Sequence, residues 1–165
     1  MNNIVSFNSD DSLSAYISGY FYATNHFEKF ANQFYTPKGT AAITIALEIN
    51  SNSCLIYPDK TSKIYFEKFE PYLFGQTSKI AISNFEDRFD LFVIVFTPTG
   101  LFHFLEGPAS QMTDRVLPLD HIGFPDFHQK LKNLFETNTE IETCIEKVNQ
   151  FLIDHFNSHP WFREH

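Results

Sequence analysis

The chain has 165 residues, enough for one core that buries roughly 70% of the surface its unfolded form exposes, and 20 of them are Phe, so that core is expected to consist largely of packed rings. Twelve Lys and Arg stand against twenty Asp and Glu, a formal net charge of -8, which repels a phosphate backbone and argues against nucleic acid as a direct partner. No run approaches the ~20 apolar residues of a membrane span, Cys54 and Cys144 form no CxxC pair, and the N-terminal stretch has neither a basic leader nor an apolar core, so the expectation is a cytoplasmic protein with two reduced, buried thiols and no membrane partner.

Ser9 or Asp10 can cap a short turn carrying Leu13, Tyr16 and Ile17, after which Gly19 releases the chain into an aromatic strand over 20–24. A polar stretch ends at Pro37 and Gly39, a turn signal, and "AAITIALEI" follows with Ile43, Ile45, Leu47 and Ile49 on one face and Thr44, Ala46 and Glu48 on the other, the alternation of a half-buried strand. Further strands are expected in "SCLIYP" ended by Pro58, in "KIYFEKF" ended by Pro71, in "LFGQTSKIAIS" interrupted at Gly75, and in "RFDLFVIVF" ended by Pro98. The last is apolar on both faces, as a strand covered on both sides must be, so it belongs at the centre of a sheet.

After this strand come a Pro-Gly turn, a short aromatic helix, a second turn and an Asp-Arg step, in "FTPTGLFHFLEGPASQMTDRVLPL". The period then changes. In "PDFHQKLKNLFE", Phe127, Leu131, Leu134 and Phe135 form an amphipathic stripe. In "TEIETCIEKVNQFLIDHF", Thr139 and Glu142 have the spacing of a capping box, and Ile141, Ile145, Val148, Leu152 and Phe156 step by four, three, four and four. The second stripe either packs on its own domain or meets a copy of itself, and Ile141, Ile145, Val148 and Leu152 are the candidate dimer residues. The expected fold is therefore mixed and mainly β: an antiparallel β-barrel or jelly roll with short connecting helices over 1–123, a C-terminal helix pair over 124–157, and a tail over 158–165.

The quoted segment, continued to "LDHIG", resembles part of the N-terminal half of certain bacterial AraC-type transcriptional regulators, through Phe96, Pro98, Gly100, Pro108, Arg115, Leu119 and Asp120. Upstream, "LSAYISGYFYAT" is similar to that family's opening strand, "TPKGTAAITIALE" to its second, and "LFGQTSKIAI" to its Gly-Gln turn. The resemblance implies an antiparallel cupin-like (jelly-roll) barrel followed by a C-terminal helix pair, a domain that senses a small-molecule effector and forms a homodimer, touching DNA only through a C-terminal helix-turn-helix half that would begin about where "SHPWFREH" stands. Tyr57, Phe66, Phe74 and Phe92 are the candidate pocket residues; Pro98, Gly100, Arg115 and Asp120 are expected at a hinge between barrel and helices, with Arg115 either holding a buried carboxylate or solvated on its loop.

Other chemistries find less support. The seven histidines, His26, His103, His121, His128, His155, His159 and His165, include no His-x-His pair and all fall outside the expected central strands, so neither metal nor other cofactor is expected. His103 stands one helical turn before Glu106, with Asp114 and Arg115 nearby, a set that would serve a small metal-independent barrel enzyme by acid-base chemistry; the plainer reading of each is a cap or turn residue, and no catalytic residue is assigned. A free-standing small-molecule-binding protein is the remaining alternative.

Overall fold

The computed structural model describes residues 2–25, 30–35, 40–56, 63–78, 81–85 and 88–158. Among these residues ten strands form two antiparallel sheets: β1 (Asn2–Phe7), β2 (Ile17–Asn25), β3 (Phe30–Tyr35), β4 (Ala42–Glu48), β5 (Cys54–Ile56), β6 (Lys63–Tyr65), β7 (Pro71–Phe74), β8 (Ala81–Phe85), β9 (Phe89–Phe96) and β10 (Val116–Pro118). The larger sheet has six strands in the order β1-β2-β9-β4-β7-β10, and the smaller has four in the order β3-β8-β5-β6. The six-stranded sheet ends on β1 and β10 and is therefore open, not a barrel closed on itself. Three α-helices follow β9: α1 (Gly100–Leu105), α2 (Pro125–Thr137) and α3 (Ile141–Asn157). The mainly β, antiparallel character with a C-terminal helix pair agrees with the sequence.

The doubly apolar strand is central, as its composition requires: β9 pairs with β2 on one side and β4 on the other. Its two faces meet different surroundings. Phe92, Ile94 and Phe96 are wholly buried, together with Tyr20, Ile43, Ile45 and Leu73 of neighbouring strands, under the helical layer that supplies Leu131, Phe135, Val148, Leu152 and Phe156. The alternate residues Leu91, Val93 and Val95 are only half-buried and face the other way. On that second side, Leu55 of β5 and half-buried Phe85 of β8 join Tyr72 and Phe74 of β7 and Val116 of β10 in a smaller apolar cluster, so the two sheets face each other across it.

One aromatic hub holds the helices. Phe104 of α1 is fully buried, with its ring centroid 4.3 Å from His155, 5.3 Å from Phe96 and 5.4 Å from Phe127. Burying a ring this completely contributes on the order of 1.5–3 kcal/mol from area alone. Further along α3, Asn149 accepts the Tyr20 hydroxyl from β2 and, at 3.0 Å, the backbone N–H of Asp10. Burial pushes the Tyr20 hydroxyl pKa far up, which keeps it a neutral donor.

Several boundaries differ from the sequence reading, each for a physical reason. β1 and β3 were not anticipated: β1 is an edge strand whose Ile4 and Val5 stay exposed, so it carries no inside-outside pattern. Alternation in β4 holds through Ile45 and then fails, because a register irregularity between Ala46 and Glu48 buries Ala46 and leaves Leu47 half-buried. Pro71 opens β7 instead of closing β6, a position where its missing N–H costs no ladder bond. The Thr139–Glu142 capping box does not form, since α3 begins one residue later with Glu140 as its N-cap and no side-chain cap bond. Asp10, by contrast, caps the first turn, accepting the Ser12 N–H at 3.0 Å. The turn signal at Pro37 and Gly39 and the strand end at Pro58 lie outside the described residues.

Of the two alternatives for the α3 stripe, the structure shows the one in which it packs on its own domain. Ile145, Val148 and Leu152 are buried in the chain's own core, and Ile141 packs half-buried against it. A helix that must cover a six-stranded sheet spends its apolar face there, and this stripe is not left for a second copy.

Candidate functional site

The space between the sheets is not filled. A cavity of about 450 Å³ opens there, lined from the larger sheet by Ile4, Phe21, Ala23, Ala42, Thr44, Phe74, Leu91, Val93 and Val95, from the smaller by Leu55 and Phe85, and by Thr40 and Phe66. That volume is within the range that holds a small molecule. Strand periodicity builds it: each lining residue of β4 and β9 alternates with one facing the helices, so Val93 lines the cavity while Phe92 and Ile94 on either side of it are core. The small side chains Ala23 of β2 and Ala42 and Thr44 of β4 lie on the two strands that flank β9, where larger ones would close the gap. Two of the exposed large apolar residues of the chain, Ile4 and Phe21, are among the lining residues, so the cavity has an apolar opening.

Of the four candidate pocket residues, Phe66 and Phe74 line this cavity, their rings stacked 5.8 Å apart. Phe92 lies on the opposite face, tilted against Phe135 of α2 at 4.9 Å, because its position in β9 has the other parity. Tyr57 lies outside the described residues, as do His26, His159 and His165.

A second feature escaped the sequence. Glu70, in the turn between β6 and β7, receives Lys132 Nζ on one carboxylate oxygen and His128 Nε2 at 2.7 Å on the other. His128 is almost wholly buried, and its Nδ1 accepts the Asp120 backbone N–H at 3.3 Å, which fixes the tautomer with the proton on Nε2, facing Glu70. Burial alone would raise the Glu70 pKa, but the bonds from Lys132 and His128 outweigh it and hold the carboxyl below its ordinary range, while Glu70 raises the Lys132 pKa. The separation of 58 positions between Glu70 and His128 left no local spacing to signal the pair. The same turn contains Phe69 at φ 67°, a bulky residue in the left-handed region, held by its N–H bond to Ala46 O at 2.7 Å. Phe66 at the start of this turn lines the cavity, so the turn joins the cavity wall to α2.

Of the residues expected at a hinge, Pro98 and Gly100 belong to a fastening, while Arg115 and Asp120 are exposed. A Cβ on Gly100 would lie 2.0 Å from Tyr16 O, and Thr97 bonds the same turn through its N–H to Tyr16 O at 2.9 Å and its hydroxyl to Ala15 O at 2.8 Å, so the Thr97-Pro98-Thr99-Gly100 step locks the end of β9 onto the N-terminal turn. A Cβ on Gly75 would sit 1.7 Å from Met112 O. That close approach lets Asp114 N–H bond Gln76 O at 2.9 Å and the Asp114 carboxylate accept the Ser78 N–H at 2.7 Å. The Gly-Gln turn and the Asp-Arg step are thus two halves of one contact. Arg115 is exposed and donates to the Gln111 carbonyl at 3.3 Å, the solvated alternative, with no buried carboxylate as its partner among the described residues. Asp120 is exposed beside His121 and His128.

His103 stands edge-on to Tyr16 at 4.9 Å, Asp114 secures the Gln76–Ser78 loop, and Glu106 lines a different cavity, of about 490 Å³, at the end of the helical layer with Asp126, Lys130, Asp154 and His155. Among the described residues no group of three His, Cys, Asp or Glu side chains is placed to hold a metal, and no helix is long and apolar enough to cross a membrane. Both cysteines are buried as free thiols, and burial pushes the Cys144 thiol up, away from nucleophilic use.

A family described as "Domain of unknown function (DUF6597)" matches residues 6–118, more than half of the chain, from within β1 to the last residue of β10. No curated protein matches.

Proposed function

The chain belongs to the DUF6597 family, and from that premise we propose that it is the effector-sensing part of a transcription regulator of the AraC kind, with its two antiparallel sheets forming the walls of a cupin-like fold. The observation that carries this reading is the two-faced larger sheet. The strands that line the cavity through Ala42, Thr44, Leu91, Val93 and Val95 present Ile43, Ile45, Phe92, Ile94 and Phe96 to the helices. A ligand between the sheets bears on one side of a single layer whose other side seats α2 and α3, and close-packed layers transmit such displacements. The turn from Phe66 to Glu70 supplies a second route, from cavity wall to the His128 and Lys132 side chains.

In this reading the acidic unit presents its helices differently with and without effector, and contact with DNA belongs to another segment of the regulator. Self-association, if it accompanies sensing, uses a surface other than the Ile145–Leu152 stripe. The test begins with a thermal-shift screen for a ligand, followed by amide hydrogen exchange with and without it. Binding is expected to slow exchange in β4 and β9 and also to change it in α2 and α3, and Glu70→Gln should weaken the helix response more than the binding. A ligand that protects the cavity strands and leaves both helices unchanged would overturn the sensing role.

A further inference from the structure

We propose that the cavity between the sheets takes an uncharged, predominantly apolar molecule, and not a sugar, a carboxylic acid or a cation; the proposal rests on the ligand-binding reading above and names the class of ligand. Its first support is the lining. Of the thirteen described lining residues, eleven are hydrocarbon or aromatic side chains, and the polar groups are the hydroxyls of Thr40 and Thr44. No ionisable side chain lines it among the described residues. A carboxylate or ammonium transferred there would lose its hydration with no opposite charge among the described lining residues to replace it, and a sugar would find only two hydroxyls among them as partners for its own. Two threonine hydroxyls on the β4 side can serve one hydroxyl, ether or carbonyl of a ligand, which fixes its orientation without requiring charge.

The second support is the opening. Ile4 is 68% exposed and Phe21 38% exposed, and both belong to the lining, so apolar surface continues from the cavity to solvent along β1 and β2. The register pairs Ile4 with Ala23 and Ser6 with Phe21, which sets the two exposed side chains on neighbouring positions of one edge. Exposed apolar surface continuous with a cavity is the approach a water-poor ligand requires. The charged alternative lies elsewhere in the molecule: the cavity at the helical end is lined by Glu106, Asp126, Lys130, Asp154 and His155, so the two cavities differ in chemistry.

The experiment compares matched probes on the full chain, with phenylnaphthylamine fluorescence as the reporter and decanol, decanoate and glucose as competitors. Decanol and decanoate share a carbon count and differ chiefly in charge. The expected result is that phenylnaphthylamine binds, that decanol displaces it at concentrations at least about a hundredfold below those of decanoate and glucose, and that Val93→Phe, which fills the cavity from β9, abolishes probe binding with the circular dichroism spectrum preserved. Ala23→Leu fills the same space from β2 and serves should Val93→Phe not fold. Decanoate or glucose competing as well as decanol, with binding lost in the filled variants, would overturn the apolar class and leave the ligand-binding reading standing. Probe binding that survives both fillings, or no probe binding at all, would overturn the site itself.

Discussion

Truncating Leu152 to Ala separates a helix that covers its own sheet from one that waits for a partner. Leu152 is 0% exposed in α3, in one cluster with Val148, Phe156 and the buried face of β9. Removing its branched end leaves a void between helix and sheet, and such truncations cost about 2–5 kcal/mol according to how far the surroundings collapse. The rigid strand face opposite favours the middle of that range. For a chain of this size each kcal/mol lowers the melting temperature by roughly 2–4 °C, so a loss of ~3 kcal/mol corresponds to about 6–12 °C. The assay is thermal unfolding followed by circular dichroism at low and at high protein concentration. A drop of that size, equal at both concentrations, is the expected outcome. A melting temperature lowered by less than about 2 °C, with a dimer converted to monomer in sedimentation, would refute the placement of the stripe in the intramolecular core.

Three further substitutions probe the fastenings. Gly75→Ala should destabilise by about 2 kcal/mol or more, since its Cβ would overlap the Met112 carbonyl, and a near-unchanged denaturant midpoint would contradict the close approach. Arg115→Ala should change stability by less than about 0.5 kcal/mol, because its guanidinium is exposed and, among the described residues, bonds a carbonyl and no carboxylate; a drop of several degrees would mean that it holds a buried carboxylate after all. Glu70→Gln tests a pH dependence whose sign is fixed by the lowered Glu70 pKa: the stabilisation from the ionised group is present above its ordinary value of 4.5 and disappears as pH falls through the lower folded value. Wild type should therefore exceed Glu70→Gln in stability near neutrality and approach it in acid, and a difference that stays constant across that range would remove the ionic tie.

The parts legible in the sequence were those in which one residue type repeats at one spacing. β9 announced its central place because both parities are apolar, and α2 and α3 announced their buried faces through stripes that the structure fills with Leu131, Phe135, Val148 and Leu152. What such spacing cannot give is the identity of the surface opposite. The α3 stripe reads the same whether a sheet or a second helix covers it. Phe92 and Val93 are both apolar, and only the sheet pairing decides that Val93 faces the cavity and Phe92 the helices. Phe66 and Phe74 were found among strand aromatics, while the small residues that leave the space open, Ala23 and Ala42, carry no signal of their own. Glu70 and His128 meet only because the turn before β7 folds back onto α2, a contact that depends on the whole topology.

The most direct measurement is a crystal structure of the chain with bromodecanol, located by the anomalous signal of bromine. The account predicts a bromine peak between the sheets, among Phe21, Phe74, Leu91 and Val93. A cavity with no peak, or a peak only at the helical end beside Phe124, Lys130 and His155, would contradict it.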